Sequence, residues 1–107
     1  MALRTLTLDP KYRLSVNLTA RLTCLCPVNG RRDYATVEIA YVPTGAVVEL
    51  ESLQRWLDSY AMETISHEEI TQAIRDEIAE ETMADDLTVR TRWDAVEGVE
   101  CVVSVSG

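Results

Sequence analysis

The chain has 107 residues, 47% of them hydrophobic, and eighteen acidic against ten basic residues give it a net charge of −8. This length and composition predict one globular domain spanning residues 1–107. No run reaches the roughly 18 to 20 apolar residues that cross a bilayer, and the N-terminus lacks an apolar signal segment, so we expect a cytoplasmic protein without a membrane partner. The negative charge argues against broad electrostatic binding to nucleic acid at ordinary salt.

The acidic composition has two interpretations. Lys11 is the only lysine, and arginine supplies the other basic residues. Such a surface suits a halophilic protein, because concentrated salt screens the repulsion between like charges. It equally suits simple acidic solubility in an arginine-rich proteome.

The first half of the chain shows the two-residue period of half-buried strands. A polar stretch with the turn formers Pro27, Asn29 and Gly30 separates two such runs, which predicts an antiparallel hairpin. The alternating apolar residues are Leu14, Val16, Leu18, Ala20 and Leu22 in the first run and Ala35, Val37, Ile39 and Tyr41 in the second.

Two helices and two further strands follow. Apolar residues at spacings of three and four between Leu50 and Tyr60 predict the first helix. Ser66 and Glu69 have the spacing of a capping box, so the second helix is predicted to start at His67. Alternation then predicts strands over 87–93 and 99–105, joined by a short turn ending in Gly98. The order ββααββ predicts an α+β fold, with one antiparallel sheet covered on one face by two helices.

Cys26 is the candidate nucleophile. It stands at the end of the first strand, before a turn-rich loop, and a hairpin would bring Asp33 back toward its thiol as a proton carrier. The alternative is a small buried cysteine and a turn aspartate. Arg31 and Arg32 either stabilise a thiolate or are simply solvated. The cysteines are odd in number and lack CxxC spacing, which predicts neither a disulfide framework nor a metal site.

His67 and Glu68 occupy the first turn of the second predicted helix, where the helix dipole favours a carboxylate. A carboxylate there can accept hydrogen bonds from the ring N–H and amino donors of a guanine-like edge. The alternative for Glu68 is an ordinary acidic residue at a helix start. His67 is the only histidine, and a lone histidine is more often structural than catalytic.

These residues carry a family resemblance. Cys26, Pro27, Gly30 and Asp33, followed by the strand YATVEIAYVP and by His67 with Glu68, resemble the QueF nitrile reductases over about residues 14–106. The resemblance implies a tunneling fold whose subunits assemble into a barrel. It also implies that Cys26 adds to the nitrile of 7-cyano-7-deazaguanine to form a thioimide. Asp33 would handle protons, His67 would assist, Glu68 would anchor the base, and Glu49 and Ser52 would contribute to substrate binding.

One departure separates two branches of this family. The reductases carry the pattern E-[SL]-K-[SA]-L-K-x-[YFW], used with NADPH, whereas this chain has Glu51 and Gln54 in place of both lysines. A carboxylate there would repel a cofactor phosphate. The chain therefore looks more like the QueF-like amidinotransferases, which implies ammonia as second substrate, no cofactor, and an archaeosine-type formamidine product. NADPH-dependent reduction to the aminomethyl base is the alternative, and a non-catalytic purine- or pterin-binding module is a third.

The resemblance also implies partners. The nitrile-bearing base would sit in tRNA or DNA, and the chain would form a homodecamer of two pentamers. Exposed sheet edges make such assembly physically reasonable. The candidates for nucleic-acid contact are Arg31, Arg32, Arg90 and Arg92. For Arg90 and Arg92, cross-strand pairing, for instance with Glu100, is an equal alternative.

Overall fold

A computed structural model describes residues 2–107, which form six strands and two helices. In chain order these are β1 (Thr5–Thr7), β2 (Val16–Leu25), β3 (Arg32–Val42), β4 (Ala46–Val48), α1 (Leu50–Asp58), α2 (His67–Thr82), β5 (Asp85–Val96) and β6 (Val99–Ser106). The four long strands make one sheet in the order β2-β3-β5-β6, and every neighbouring pair is antiparallel. The predicted α+β fold is confirmed.

Both predicted hairpins are present. In the second, Glu97 and Gly98 turn the chain with φ of +50° and +80°. Two successive positive φ values belong to the type I′ turn, whose twist matches that of the flanking strands. Glycine adopts this conformation without steric cost, which is why the turn ends at Gly98.

The core lies between the sheet and the two helices. The predicted inward faces of β3 and β5 are buried, as are Leu53, Trp56 and Leu57 of α1 and the isoleucines of α2, whereas Leu50 at the start of the predicted α1 stripe is exposed. The central members of this core are Val37, Ile39, Val89, Leu57, Ile70, Ile74 and Ile78. The opposite face of the sheet carries the polar half of each alternating pattern, so both helices cover one side only, as predicted.

The structure adds a small feature that the sequence pattern did not predict. β1 pairs with β4 in a separate two-stranded sheet beside the start of α1. Three residues are too few for a detectable two-residue period. The first long strand also begins at Val16 and runs to Leu25, whereas the prediction placed it over 14–22. Leu14 lies before it and is 38% exposed.

The sheet ends in two unpaired edges, β2 and β6. On β6, Val99 and Val102 are half or more exposed. Within residues 2–107, neither helix combines the length and the apolarity needed to cross a membrane.

Candidate active site

A cavity of about 400 Å³ opens at the end of the sheet where β2 finishes and α2 begins. This volume lies in the range of small-molecule sites. Four residues singled out in the sequence border it together, namely Cys26, Asp33, His67 and Glu68. The other lining residues are Pro27, Val28, Arg31, Ser66, Asp94, Val96, Val99 and Cys101.

Strand register explains why Cys26 and Asp33 share this cavity. Asp33 is the cross-strand partner of Cys24, and directly paired residues point to the same face of a sheet. Cys26 follows Cys24 by two residues, so the alternation of the strand directs it to that face as well. Both side chains therefore lie on the side covered by the helices.

The loop after β2 holds the Cys26 sulfur in a tight turn. The Cys26 amide donates to the Arg31 carbonyl at 2.7 Å, and the Gly30 amide donates to the Cys26 carbonyl at 2.9 Å. Gly30 has φ of +72°, a region that glycine occupies freely. The Val28 amide donates to Cys26 Sγ at 3.4 Å. A backbone N–H aimed at sulfur stabilises negative charge on it, as a thiolate nucleophile requires.

The two other cysteines are less suited to nucleophilic attack. Burial, with a further contribution from the Asp33 carboxylate, raises the pKa of Cys24 from 9.0 to about 11. Its thiol is fully buried and lies 3.7 Å from the Ile65 carbonyl. Cys101 lines the cavity, but burial and the nearby Glu68 carboxylate raise its pKa as well. Both environments favour the neutral thiol.

The segment before α2 brings the helix to the end of β2. The Leu25 amide donates to the Glu63 carbonyl at 2.9 Å, and the Ile65 amide donates to the Leu25 carbonyl at 3.1 Å. Ser66 then caps α2 by accepting a hydrogen bond from the Glu69 amide. His67 and Glu68 consequently begin the helix beside Cys26.

Asp33 is the most constrained polar group of the cavity. Its side chain is 5% exposed, and its two carboxylate oxygens have different partners. Arg31 Nε donates to Oδ1 at 3.0 Å, and His67 Nε2 lies 3.0 Å from Oδ2. The Asp33 carboxylate therefore bridges the Arg31 guanidinium and the His67 imidazole. A proton can pass between Asp33 and His67 without movement of either backbone.

Glu49 and Ser52 lie elsewhere in the chain. Both belong to the start of α1, where Glu49 is the N-cap and Ser52 is fully buried. The Arg4 amide donates to Ser52 Oγ at 2.9 Å, which ties α1 to the segment before β1. Neither residue lines the cavity within one chain.

The four arginines fall into two groups. Arg31 turns toward Asp33 and lines the cavity, whereas Arg32 donates to the Ala61 carbonyl at 3.0 Å and lies with Arg31 in a neighbouring depression. Arg90 and Arg92 alternate with buried residues of β5 and therefore project from the face away from the helices. Arg92 pairs with Glu38 at 2.9 Å. This is a cross-strand pair as the alternative expected, although its partner is Glu38 and not Glu100, which makes no ion pair within residues 2–107.

Trp93, Asp94 and the Val28 amide were not among the predicted site residues. Trp93 belongs to the alternating pattern of β5 and is buried, and that pattern gives no sign of a role in the site. Its indole stacks on the His67 ring. Trp93 pairs with Ala35, two residues from Asp33, and this register brings β5 to the cavity. The register cannot be predicted from the spacing of residues in the sequence. Among residues 2–107 there is no cluster of three His, Cys, Asp or Glu side chains suited to a metal ion.

Comparisons with known proteins agree with this geometry. The family model described as QueF-like protein matches residues 32–107. A relative from Thermomicrobium roseum, named NADPH-dependent 7-cyano-7-deazaguanine reductase, is 38% identical over 93 residues, which are 87% of this chain and 72% of that protein. A protein of the same name from Chlorobaculum tepidum is 32% identical over 98 residues, covering 92% and 83% of the two chains.

A solved structure is similar over most of its length. The crystal structure of the archaeosine synthase QueF-Like in the apo form aligns with a TM-score of 0.84 and 27% identity, covering 90% of this chain and 95% of the other. Fold, sequence and the extent of the family match lead to one assignment. The chain belongs to the family of QueF-like proteins.

Proposed function

We propose that this chain acts on the nitrile of a 7-cyano-7-deazaguanine base through a thioimide on Cys26. The observation that carries the proposal is the single cavity bordered by Cys26, Asp33, His67 and Glu68. A thiol, a proton-carrying pair and a free carboxylate are the groups that nitrile addition and recognition of a guanine-like edge require. The names of the relatives support this substrate class.

The first step is addition of sulfur to the nitrile. Cys26 Sγ bonds to the nitrile carbon, and one π bond of the nitrile breaks. The proton that leaves the thiol passes to Asp33, which shares it with His67 at 3.0 Å, and then to the nitrile nitrogen. The thioimide therefore forms without net gain or loss of protons.

The second step is displacement of the sulfur by ammonia. Ammonia adds to the thioimide carbon, the C–S bond breaks, and the sulfur leaves as a thiol with one proton from the incoming nitrogen. The product is a formamidine, and nothing is oxidised or reduced. Asp33 and His67 carry the proton in this step too, because they border the same carbon.

The start of α1 supports ammonia over NADPH. Glu51 stands where the reductase pattern has lysine, and its carboxylate is largely exposed and paired at 3.4 Å with Arg55. Gln54 replaces the second lysine and donates to Asp58 and to the Arg21 carbonyl. Neither position offers a free cation for a cofactor phosphate.

Reduction is the second candidate, and the names of the curated relatives favour it. Conversion of a nitrile to an aminomethyl group adds two hydrides and two protons, so NADPH would have to bind in turn beside the same thioimide. A non-catalytic base-binding module is a further alternative. It leaves unexplained why the Val28 amide is directed at the Cys26 sulfur.

The archaeosine synthase similarity supports a base held in nucleic acid, in tRNA or DNA. Arg31 lines the cavity, Arg32 lies with it in a neighbouring depression, and both are the nearest candidates for phosphate contact. Arg90 and Arg92 lie on the opposite face and would serve only through an assembly. In a homodecamer of two pentamers, Glu49 of a neighbouring copy would contribute to the base site, whereas Ser52 is fully buried in its own chain and would support that site by holding the start of α1.

The test combines adduct mapping with product analysis. Incubation with 7-cyano-7-deazaguanine, free or in tRNA or DNA, should add the mass of the base to the peptide containing Cys26. Ammonium should then yield formamidine, with no oxidation of NADPH. Cys26→Ala should abolish the adduct and keep the fold, and the buried Cys24→Ala variant is the matched control that should retain both.

Each other outcome is decisive. NADPH oxidation coupled to an aminomethyl product establishes the reductase. An adduct mapped to Cys101 would identify Cys101, and not Cys26, as the nucleophile. Tight binding of the base without any adduct favours the non-catalytic module.

A further inference from the structure

We infer that Trp93 is a positioning residue that sets the plane of the His67 imidazole for proton transfer with Asp33. The inference rests on the proposed function for its catalytic meaning, but its geometric part stands on contacts alone. The ring centroids of His67 and Trp93 lie 3.7 Å apart, and the planes differ by 2°. The two rings are therefore parallel and in van der Waals contact over their faces.

The stack restricts His67 in a way that Asp33 alone does not. A single hydrogen bond to Nε2 leaves the imidazole free to tilt about that bond. An indole face laid against the ring removes this freedom, since tilting would either collide with Trp93 or lose the contact. The side chain of Trp93 is held in turn, because the residue is only 5% exposed.

A chain of buried hydrogen bonds fixes the indole relative to α2. Trp93 Nε1 donates to Thr91 Oγ1 at 2.8 Å, and Thr71 Oγ1 donates to the His67 carbonyl at 2.7 Å. The hydroxyls of Thr71 and Thr91 are 2.7 Å apart. Thr71 has already used its only proton, so Thr91 must be the donor between them.

The direction of the chain is thus determined from the indole to the His67 carbonyl. Each hydroxyl accepts once and donates once, and both threonines are fully buried. Two β5 residues hold His67: Trp93 stacks on its ring, and Thr91 is linked through Thr71 to its carbonyl oxygen. The indole hydrogen bond alone would suit any buried tryptophan, so the stack on the His67 ring is the contact that assigns Trp93 a positioning role.

Trp93 and Asp33 contact different parts of the His67 imidazole, since the stack covers a ring face and the hydrogen bond meets the ring edge at Nε2. The other charged or titratable groups that border the cavity around His67 are Asp33, Arg31, Cys26, Asp94, Glu68 and Cys101. Because Trp93 covers a ring face, it acts on a side of the imidazole that Asp33 does not reach.

The test uses the fact that His67 is the only histidine. Its imidazole signals in a proton–carbon NMR spectrum are unambiguous, and the indole ring current should shift them upfield. Trp93→Leu should remove that shift, whereas Trp93→Phe should retain part of it. Trp56→Phe is the matched control, because Trp56 is equally buried but packs on Tyr60.

Kinetics give the second readout. With saturating 7-cyano-7-deazaguanine, Trp93→Leu should lower the rate of thioimide formation about tenfold or more, with little change in the half-saturating concentration, because orientation rather than binding is lost. Trp93→Phe should recover part of the rate. In a His67→Ala background, Trp93→Leu should have no further effect.

Three results would overturn the inference: unchanged His67 signals in Trp93→Leu, a rate loss as large in Trp56→Phe, or additive losses in the His67→Ala background. If the wild-type chain forms no adduct at all, the proposed function is contradicted. The NMR comparison then still decides whether Trp93 holds the His67 ring.

Discussion

The two helices begin in different ways, and the difference decides which acidic side chains are available for binding. At the start of α1 the Glu49 carboxylate accepts hydrogen bonds from the Glu51 amide at 2.6 Å and the Ser52 amide at 3.1 Å. At the start of α2 the cap is Ser66, which accepts from the Glu69 amide at 3.1 Å and donates to the Glu69 carboxylate at 3.0 Å. Glu68 takes no part in that capping.

As a result, the Glu68 carboxylate is free, whereas the Glu49 carboxylate is bonded to backbone amides of its own helix. Glu68 borders the cavity, and its side chain makes no hydrogen bond or ion pair to another residue in the range 2–107. It retains the favourable field of the helix N-terminus while keeping its oxygens for a ligand. Glu49 has the same field, but within its own chain both oxygens serve the helix. Residue type and position at a helix start therefore do not decide whether a carboxylate is free: Glu49 is itself the cap of α1, whereas Ser66 caps α2 and leaves Glu68 unbonded.

The largest expected effect is that of Glu68→Gln on base affinity. The amide would present its own N–H donors to ring donors, and leaving buried donors unpaired costs roughly 1 to 3 kcal/mol, or about one to two decades in Kd. The Kd of the free base should be measured in the Cys26→Ala variant with and without Glu68→Gln, because without the Cys26 thiol no thioimide forms and only binding is observed. Glu69→Gln is the matched control and should bind nearly normally. Equal losses for both would show that the contrast between Glu68 and its neighbours is false.

The caps themselves should have a smaller effect, on stability. Ser66→Ala and Glu49→Ala each remove the acceptor of an N-terminal amide, which costs about 0.5 to 2 kcal/mol in the free energy of unfolding. Urea unfolding of both variants measures this loss. Ser66→Ala should also weaken base binding severalfold, because the freed amides of α2 would compete for nearby carboxylates. Unchanged affinity in a destabilised Ser66→Ala variant would separate capping from ligand binding.

An effect confined to alkaline pH concerns Cys24, which belongs to the buried core. Its pKa is raised from 9.0 to about 11, so between these values the folded state keeps a proton that the unfolded state releases. The free energy of unfolding should therefore be unaffected below about pH 9 and decrease as pH rises from 9 to 11. Cys24→Ala should lose this part of the pH dependence, as measured by chemical unfolding in that range. A slope that persists in the variant would assign it to another group.

Much of the fold followed from local pattern. The hairpins, the helix starting at His67 and its Ser66 cap were predicted because two-residue alternation and capping spacing are properties of neighbouring residues. The sheet of β1 and β4 was not, since strands of three residues carry no period. Cys26, Asp33, His67 and Glu68 were named from a motif, and the structure places them around one cavity.

Other parts of the site depended on contacts between distant residues. Arg31 was a candidate for stabilising the thiolate, for polymer contact or for simple solvation, and its Nε donates to the Asp33 carboxylate, a partner that none of these named. No spacing relates Trp93 to His67, which are 26 residues apart and meet because β3–β5 register and the packing of α2 coincide.

By itself, the sequence determined the element types, the inward faces and the motif residues, because these depend on side-chain period and on neighbours along the chain. Only the tertiary structure decided which carboxylate caps a helix and which remains free, which arginine holds Asp33, and which ring lies against His67. These are choices among several chemically similar partners. Strand register and helix packing settle them, because a hydrogen bond or a stack forms only between groups that the fold brings within about 3 to 4 Å.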